Sequence, residues 1–136
     1  MRLLTFQARR FTWQPASQTL SDADPSPAPG AADDAVVAWL HVEARDATDE
    51  ARVFRHVLKH LKWIANKRDL QAIVLHSFAH LGGETADPAF AHALLLRLAE
   101  RLTETGYAVQ ITPFGWFCAW SLDVHGDSLA KVYKEV

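Results

Sequence analysis

The sequence predicts an α/β fold: one mixed β-sheet with two main amphipathic helices packed on it, in a single domain spanning residues 1–136. Three observations carry this. Two stretches, Asp49 to Asn66 and Asp87 to Gly106, repeat apolar residues at helical spacing. Short runs rich in β-branched and aromatic residues surround them. The resulting order, β-β-β-α-β-α-β-β, is accommodated by one sheet with helices on it.

Element by element, Arg2 to Phe6 alternates and reads as a strand, and Phe11 to Trp13 as a second after a turn at Arg9-Arg10. Pro15 to Asp34 is Ser, Ala, Asp and Pro with one Gly; Pro25, Pro27 and Pro29 fall at every second residue. Such a composition buries little apolar surface and reads as a flexible inserted loop over about 15–34. Ala35 to Val42 is a buried strand. In the first helix Val53, Val57, Leu61 and Ile64 form the stripe, with Arg52, Arg55, Lys59 and Lys62 mostly off it. Leu70 to His76 is another buried strand. Asp87-Pro88 reads as an N-cap with proline at the first helical position. Phe90, Leu94, Leu95, Leu98 and Leu102 give the second helix its apolar face, and Gly106 ends it. Tyr107 to Thr112 and Trp116 to Val124 are strands, and Ser128 to Glu135 reads as a short terminal helix.

Apolar residues make up 49% of the chain and charged ones 22%, which is globular and sufficient for one unaided core. A single cysteine, Cys118, excludes an internal disulfide framework and suits a reducing compartment. The N-terminus is polar too soon for a signal peptide, and no apolar run approaches the ~20 residues of a membrane helix. The expectation is a cytoplasmic protein with no membrane partner. A net charge of −2 argues against gripping a long duplex, where phosphate neutralisation dominates affinity. It leaves room for a single-stranded end read by stacking and a few hydrogen bonds.

Chemistry concentrates in two segments, His76-Ser-Phe-Ala-His-Leu-Gly-Gly83 and Thr112-Pro-Phe-Gly-Trp-Phe-Cys-Ala-Trp120. Each combines a strand end with glycine and with polar or aromatic side chains, the usual makings of a pocket wall. His80 can hydrogen-bond a ligand or a reacting group, although composition alone favours a histidine tied to its loop. His76 and His80 are four apart, as are His56 and His60. Neither pair has an obvious third ligand, and the second pair reads as a solvated helix face; no metal site is expected. Cys118 would be reactive only beside a cation, a helix N-terminus or a histidine, and most lone strand cysteines are small buried hydrophobes. Trp116, Phe117 and Trp120 could stack a purine or fill a core. By strand alternation Trp116, Cys118 and Trp120 share one face.

Taken together, these two segments resemble the editing domain of archaeal-type threonyl-tRNA synthetases. The matching residues are Ser77-Phe-Ala-His-Leu-Gly-Gly83, Thr112-Pro-Phe-Gly-Trp-Phe-Cys118 and Gly126-Asp-Ser-Leu-Ala130. The resemblance implies a D-aminoacyl-tRNA deacylase-like fold, a homodimer, and hydrolysis of seryl-tRNA(Thr) with the terminal ribose hydroxyl helping to place the attacking water. It implies no cofactor. The implied partners are the 3′ end of aminoacyl-tRNA and a threonyl-tRNA synthetase. Carried over by position, His80 matches the family histidine, Cys118 stands where the family has a lysine, and Lys131 where it has a glutamate. These three form the expected catalytic set. Phe78, Ala79, Pro113, Phe114, Gly115, Trp116 and Phe117 are expected to bind substrate, Phe117 having lost a family tyrosine hydroxyl. The family's His-Ser-Asp falls on Gln7-Ala8-Arg9. Two rival expectations are a catalytically degenerate module that binds an aminoacyl-adenosine, a nucleoside or a protein, and thiol chemistry at Cys118. All of them require the two segments to meet at one cavity.

Overall fold

The computed structural model describes residues 1–136. Six strands form one mixed sheet: β1 (Arg2–Gln18), β2 (Gly30–His41), β3 (Ala72–Ser77), β4 (Ala108–Ile111), β5 (Trp116–Val124) and β6 (Lys131–Glu135). Two helices, α1 (Glu50–Asn66) and α2 (Pro88–Glu104), connect β2 to β3 and β3 to β4. The sheet runs β4-β3-β2-β1-β5, with β6 also on β1. The two pairs joined through helices are parallel and the others antiparallel. This follows from chain connectivity, because parallel neighbours need a crossover and helices supply it.

Strand β1 organises the molecule. One edge pairs β2; the other takes β6 along Arg2–Phe6 and β5 along Ala8–Gln18, with register shifts at Ala8/Arg10 and Pro15/Ser17. The two expected N-terminal strands are therefore one strand of 17 residues. Pro15 is tolerated inside it because pairing with β2 has ended at Trp13–Gly30 and the β5 register slips beside it. The expected loop over 15–34 is shorter than its composition suggests, since strands occupy its ends and only 19–29 connects them. The expected terminal helix is also corrected. Residues 131–135 form β6, whose alternation places Val132 and Lys134 beside Thr5 and Leu3. Five residues beside an open strand edge pair with it more readily than they nucleate an isolated helix.

Alternation along the strands sorts two faces. Leu3, Val36, Ala38, Leu40, Ile73 and Leu75 meet Val53, Val57, Leu61 and Ile64 of α1 and Leu94, Leu95, Leu98 and Leu102 of α2. Burying each such side chain contributes about 1.5–3 kcal/mol, so this layer dominates stability. Ala8, Phe11, Trp13, Ala35, Val37, Trp39 and Val74 cluster on the other face, joined by Phe6, Phe78, Cys118 and Leu122. The helix ends follow the sequence signals. Asp87 accepts from the backbone N–H groups of Ala89 (2.9 Å) and Phe90 (3.3 Å). At the C-terminus Tyr107 N bonds Leu102 O and Gly106 N bonds Thr103 O, with Gly106 at φ +101°, a Schellman closure. No helix is long and apolar enough to cross a membrane.

Candidate functional site

The two chemistry-bearing segments meet. They line one cavity of about 280 Å³ at the C-terminal ends of β3 and β4. One wall is His76-Ser-Phe-Ala-His80, and the opposite wall is Pro113-Phe-Gly-Trp-Phe-Cys118 with Trp120. Thr85, Ala86, Pro88 and Ala91 close it beside α2, and Thr19 and Leu20 reach in from the β1–β2 connection. Parallel pairing produces this juxtaposition. Leu75 pairs with Ile111, so both chains leave the sheet side by side, and Thr112 N bonds Leu75 O at 3.0 Å.

The 19–29 connection fixes the second wall. Gly115 O accepts from Thr19 N (2.7 Å) and Leu20 N (3.2 Å), and Trp116 Nε1 donates to Asp24 O at 2.8 Å. Gly115 is at φ +79°, and a Cβ there would meet Ala23 at 2.8 Å and Leu20 at 3.0 Å. Glycine is required on both counts. The twin glycines act differently from the expectation. Gly82 and Gly83 do not line the cavity; a Cβ on them would collide with Arg2 and Glu43 respectively. Their small size admits side chains of this same chain and seats the loop on the end of β1 and the residues after β2.

Electrostatically, the cavity lining holds no Asp, Glu, Lys or Arg. Its titratable groups are His76, His80 and Cys118. His76 is 7% exposed, and its Nδ1 is 2.8 Å from Thr112 Oγ1. Burial pushes its pKa down to about 4, so the ring is neutral at pH 7 and a weak base. His80 is exposed and stands edge-on to Phe78 with ring centres 5.2 Å apart. Burial pushes the Cys118 thiol up, the reverse of what a thiolate nucleophile requires. No group of three or more His, Cys, Asp or Glu side chains is arranged to hold a metal ion. The walls are aromatic: Phe117 is 58% exposed, Trp120 is 43% exposed, and Trp39 backs both Phe78 and Trp120 at 4.8 Å between ring centres. Such a space suits a flat, uncharged group held by stacking and backbone hydrogen bonds.

The family described as the archaea-specific editing domain of threonyl-tRNA synthetase matches residues 1–136. This chain belongs to that editing-domain family. Among its relatives is the threonine–tRNA ligase of Pyrobaculum islandicum, 33% identical over 98% of this chain and 22% of the ligase. The ligase of Thermococcus kodakarensis is 27% identical over 100% of this chain and, again, 22% of the ligase. The editing-domain chain thus spans about a fifth of the length of these relatives. Its backbone is similar to that of the c-Myc DNA unwinding element binding protein, with a TM-score of 0.63 at 15% identity, covering 100% of this chain and 99% of that one. That likeness shows a shared fold.

Of the residues the resemblance assigned to this editing domain, Phe78, Ala79, His80 and the whole run Pro113 to Cys118 share the cavity. Lys131 does not. It begins β6, pairs with Phe6, and donates through Nζ to His125 O at 3.2 Å. Gln7 is structural: its Nε2 donates to Ile64 O at 2.8 Å near the end of α1, and its Oε1 accepts from Arg68. Arg9 is paired with Asp123. His76, Ser77 and Trp120, which lie in the two segments singled out but outside the expected site set, also line the cavity, as does Thr85, which the sequence does not point to. The bond from His76 to Thr112 arises only once β3 and β4 become parallel neighbours in this register.

Proposed function

We propose that the cavity receives the aminoacylated 3′-terminal adenosine of mischarged tRNA, seryl-tRNA(Thr) above all, and promotes hydrolysis of its ester. The fold reading behind this is D-aminoacyl-tRNA deacylase-like. The carrying observation is a single uncharged, aromatic-walled cavity built from both segments. Its volume lies near the lower end of small-ligand pockets, about 300 Å³, which suits a nucleoside end rather than a length of RNA.

The chemistry follows from what the walls offer. His76 is a weak base and Cys118 a protonated thiol, so neither suits the role of nucleophile or strong general base. The reading therefore assigns attack to a water placed by the substrate's own 2′-hydroxyl, with the exposed His80 imidazole orienting the ester. The ester C–O bond breaks, the 3′-oxygen leaves with a proton, and the amino acid departs as the acid. The backbone N–H of Ala79 is available to the developing oxyanion, those of Phe78 and His80 being bonded to Leu40 O and Phe78 O. Editing is needed because one methyl distinguishes serine from threonine by only about 1–3 kcal/mol in binding. Ala79, Ala86 and Ala91 make a close wall suited to the smaller side chain. The reading includes a homodimer acting in the cytoplasm beside a threonyl-tRNA synthetase. A panel of seryl-, threonyl- and D-aminoacyl-tRNAs tests it. Selective loss of the seryl ester is expected, and Cys118→Ser retains most activity. No hydrolysis of any substrate contradicts catalysis, and binding without turnover indicates a degenerate module.

A further inference from the structure

A second concavity lies between α1 and β6, with a volume of about 420 Å³ and no lining residue in common with the first. His56, Lys59, His60 and Trp63 line it from the helix; Val132, Tyr133 and Lys134 do so from the strand. Register explains the strand's contribution. Lys134 and Val132 pair with Leu3 and Thr5, whose side chains are buried on the α1 side of the sheet. Lys134 therefore faces the helix across the groove.

Charge is distributed unevenly along the chain. Residues 51–68 carry six of its 14 Lys and Arg and none of its 16 Asp and Glu. Two of those six are committed: Arg52 pairs with Asp49 at 3.1 Å, and Arg68 pairs with Asp127. Arg55, Lys59, Lys62 and Lys67 form no ion pair, nor does Lys134. Among them Trp63 is 41% exposed, with Lys67 Nζ 5.9 Å from its ring centre. In an otherwise acidic protein, unpaired cations facing one another across a groove leave a positive surface with nothing on this chain to neutralise it. An exposed indole inside that surface adds a stacking platform. Unpaired cations along a groove together with an exposed ring are how a single nucleic-acid strand is held without sequence readout.

We infer that the groove between α1 and β6 holds a single-stranded stretch of RNA, its phosphates on Lys59 and Lys134 and one base stacked on Trp63. The groove itself stands on its own geometry; only the choice of RNA as the polyanion rests on the proposed function of the cavity. The net charge of −2 is compatible with it, because the footprint is a few nucleotides rather than a duplex.

Fluorescence anisotropy of the full chain with a labelled ten-nucleotide single-stranded RNA, titrated at several salt concentrations, tests this. The expected result is salt-sensitive binding. K59A/K134A should flatten the slope of log K against log salt by about 1.4, two phosphate contacts at about 0.7 each. Trp63→Ala should weaken binding about tenfold, whereas Trp63→Phe keeps most of it. Circular dichroism shows that each variant is folded. Absence of RNA binding by the wild type overturns the inference, as does unchanged affinity and slope in the folded variants. Binding to phosphatidylserine vesicles that depends on the same residues, without RNA binding, also overturns it. Hydrolysis of a seryl-adenosine ester, which has no strand to reach the groove, keeps the two readings apart. It should be the same in K59A/K134A as in wild type. Its failure in wild type removes the editing reading and leaves the groove measurement untouched.

Discussion

His76 lines the cavity and is hydrogen-bonded to Thr112 just outside the lining, 2.8 Å apart and both buried. Thr112→Val removes the partner while keeping the shape. It should cost about 1–3 kcal/mol in urea unfolding, because the imidazole is left buried with an unmet nitrogen. His60 is held similarly on the helix side, its Nε2 3.2 Å from Thr5 Oγ1, which itself donates to Val132 O. Burial pushes both histidines from the ordinary 6.5 to about 4, with the Lys134 charge adding to the effect at His60. Between those values the unfolded chain binds protons that the folded chain does not, so stability rises with pH there. It is fully present above about pH 6.5 and is lost as pH falls toward 4, on the order of 1 kcal/mol per pH unit for each histidine. Urea midpoints measured at pH 7, 6 and 5 should fall in that order, less steeply in His60→Gln. A flat profile contradicts the burial argument. At this scale the sequence showed His80 and the Phe114–Cys118 run, because motif and strand end coincide there. It hid the partner of His76 and the backing of Trp39, since both depend on which strands become neighbours. Lys131 shares the aromatic face of the sheet through its register with Phe6, yet stands apart from the cavity because matching by motif position says nothing about where across the sheet a strand comes to lie.

Helices and their caps were the most legible elements. Apolar spacing, Asp87-Pro88 and Gly106 each have a local physical cause that does not require tertiary contacts. Asp87→Ala should lower stability by about 1 kcal/mol, two first-turn N–H groups losing their acceptor, as read from a chemical melt. The β1–β2 connection was less legible. Its Pro-Ala-Asp composition announces a loop, but the hydrogen bonds that seat it are made by backbone atoms, which composition does not encode. Those bonds tie it to Gly115 and Trp116, so the connection is an element of the site. Gly115→Ala should push Leu20 and Ala23 off the turn, raise the KM for an aminoacyl ester several-fold, and lower the melting temperature by a few degrees, because alanine is strained at φ +79°. An unchanged KM would show that the tether has no part in shaping the cavity. Residues 131–135 were misread because five residues beside an available strand edge are decided by that edge, not by their own periodicity.

For the whole molecule, the α/β class and the mixed sheet were readable from element order, and family membership follows from residues 1–136 as a unit. What the order did not show is that β1 carries three partners. Through β5 that arrangement brings the second wall to the cavity at the ends of β3 and β4, and through β6 it forms one side of the cationic groove, the two having no residue in common. The helix-side core holds this frame together. Leu98→Ala, at a fully buried site between α2 and the sheet, should cost about 2–5 kcal/mol in unfolding free energy, enough to loosen both sites together. The most direct measurement is a crystal structure of the protein with a non-hydrolysable seryl-adenosine analogue. The expected result is the adenine against the Phe114–Phe117 rings, with the seryl group beside Ala79 and His80. An analogue bound elsewhere, or a cavity left unchanged at a saturating concentration, would contradict the assignment of this space to an esterified adenosine.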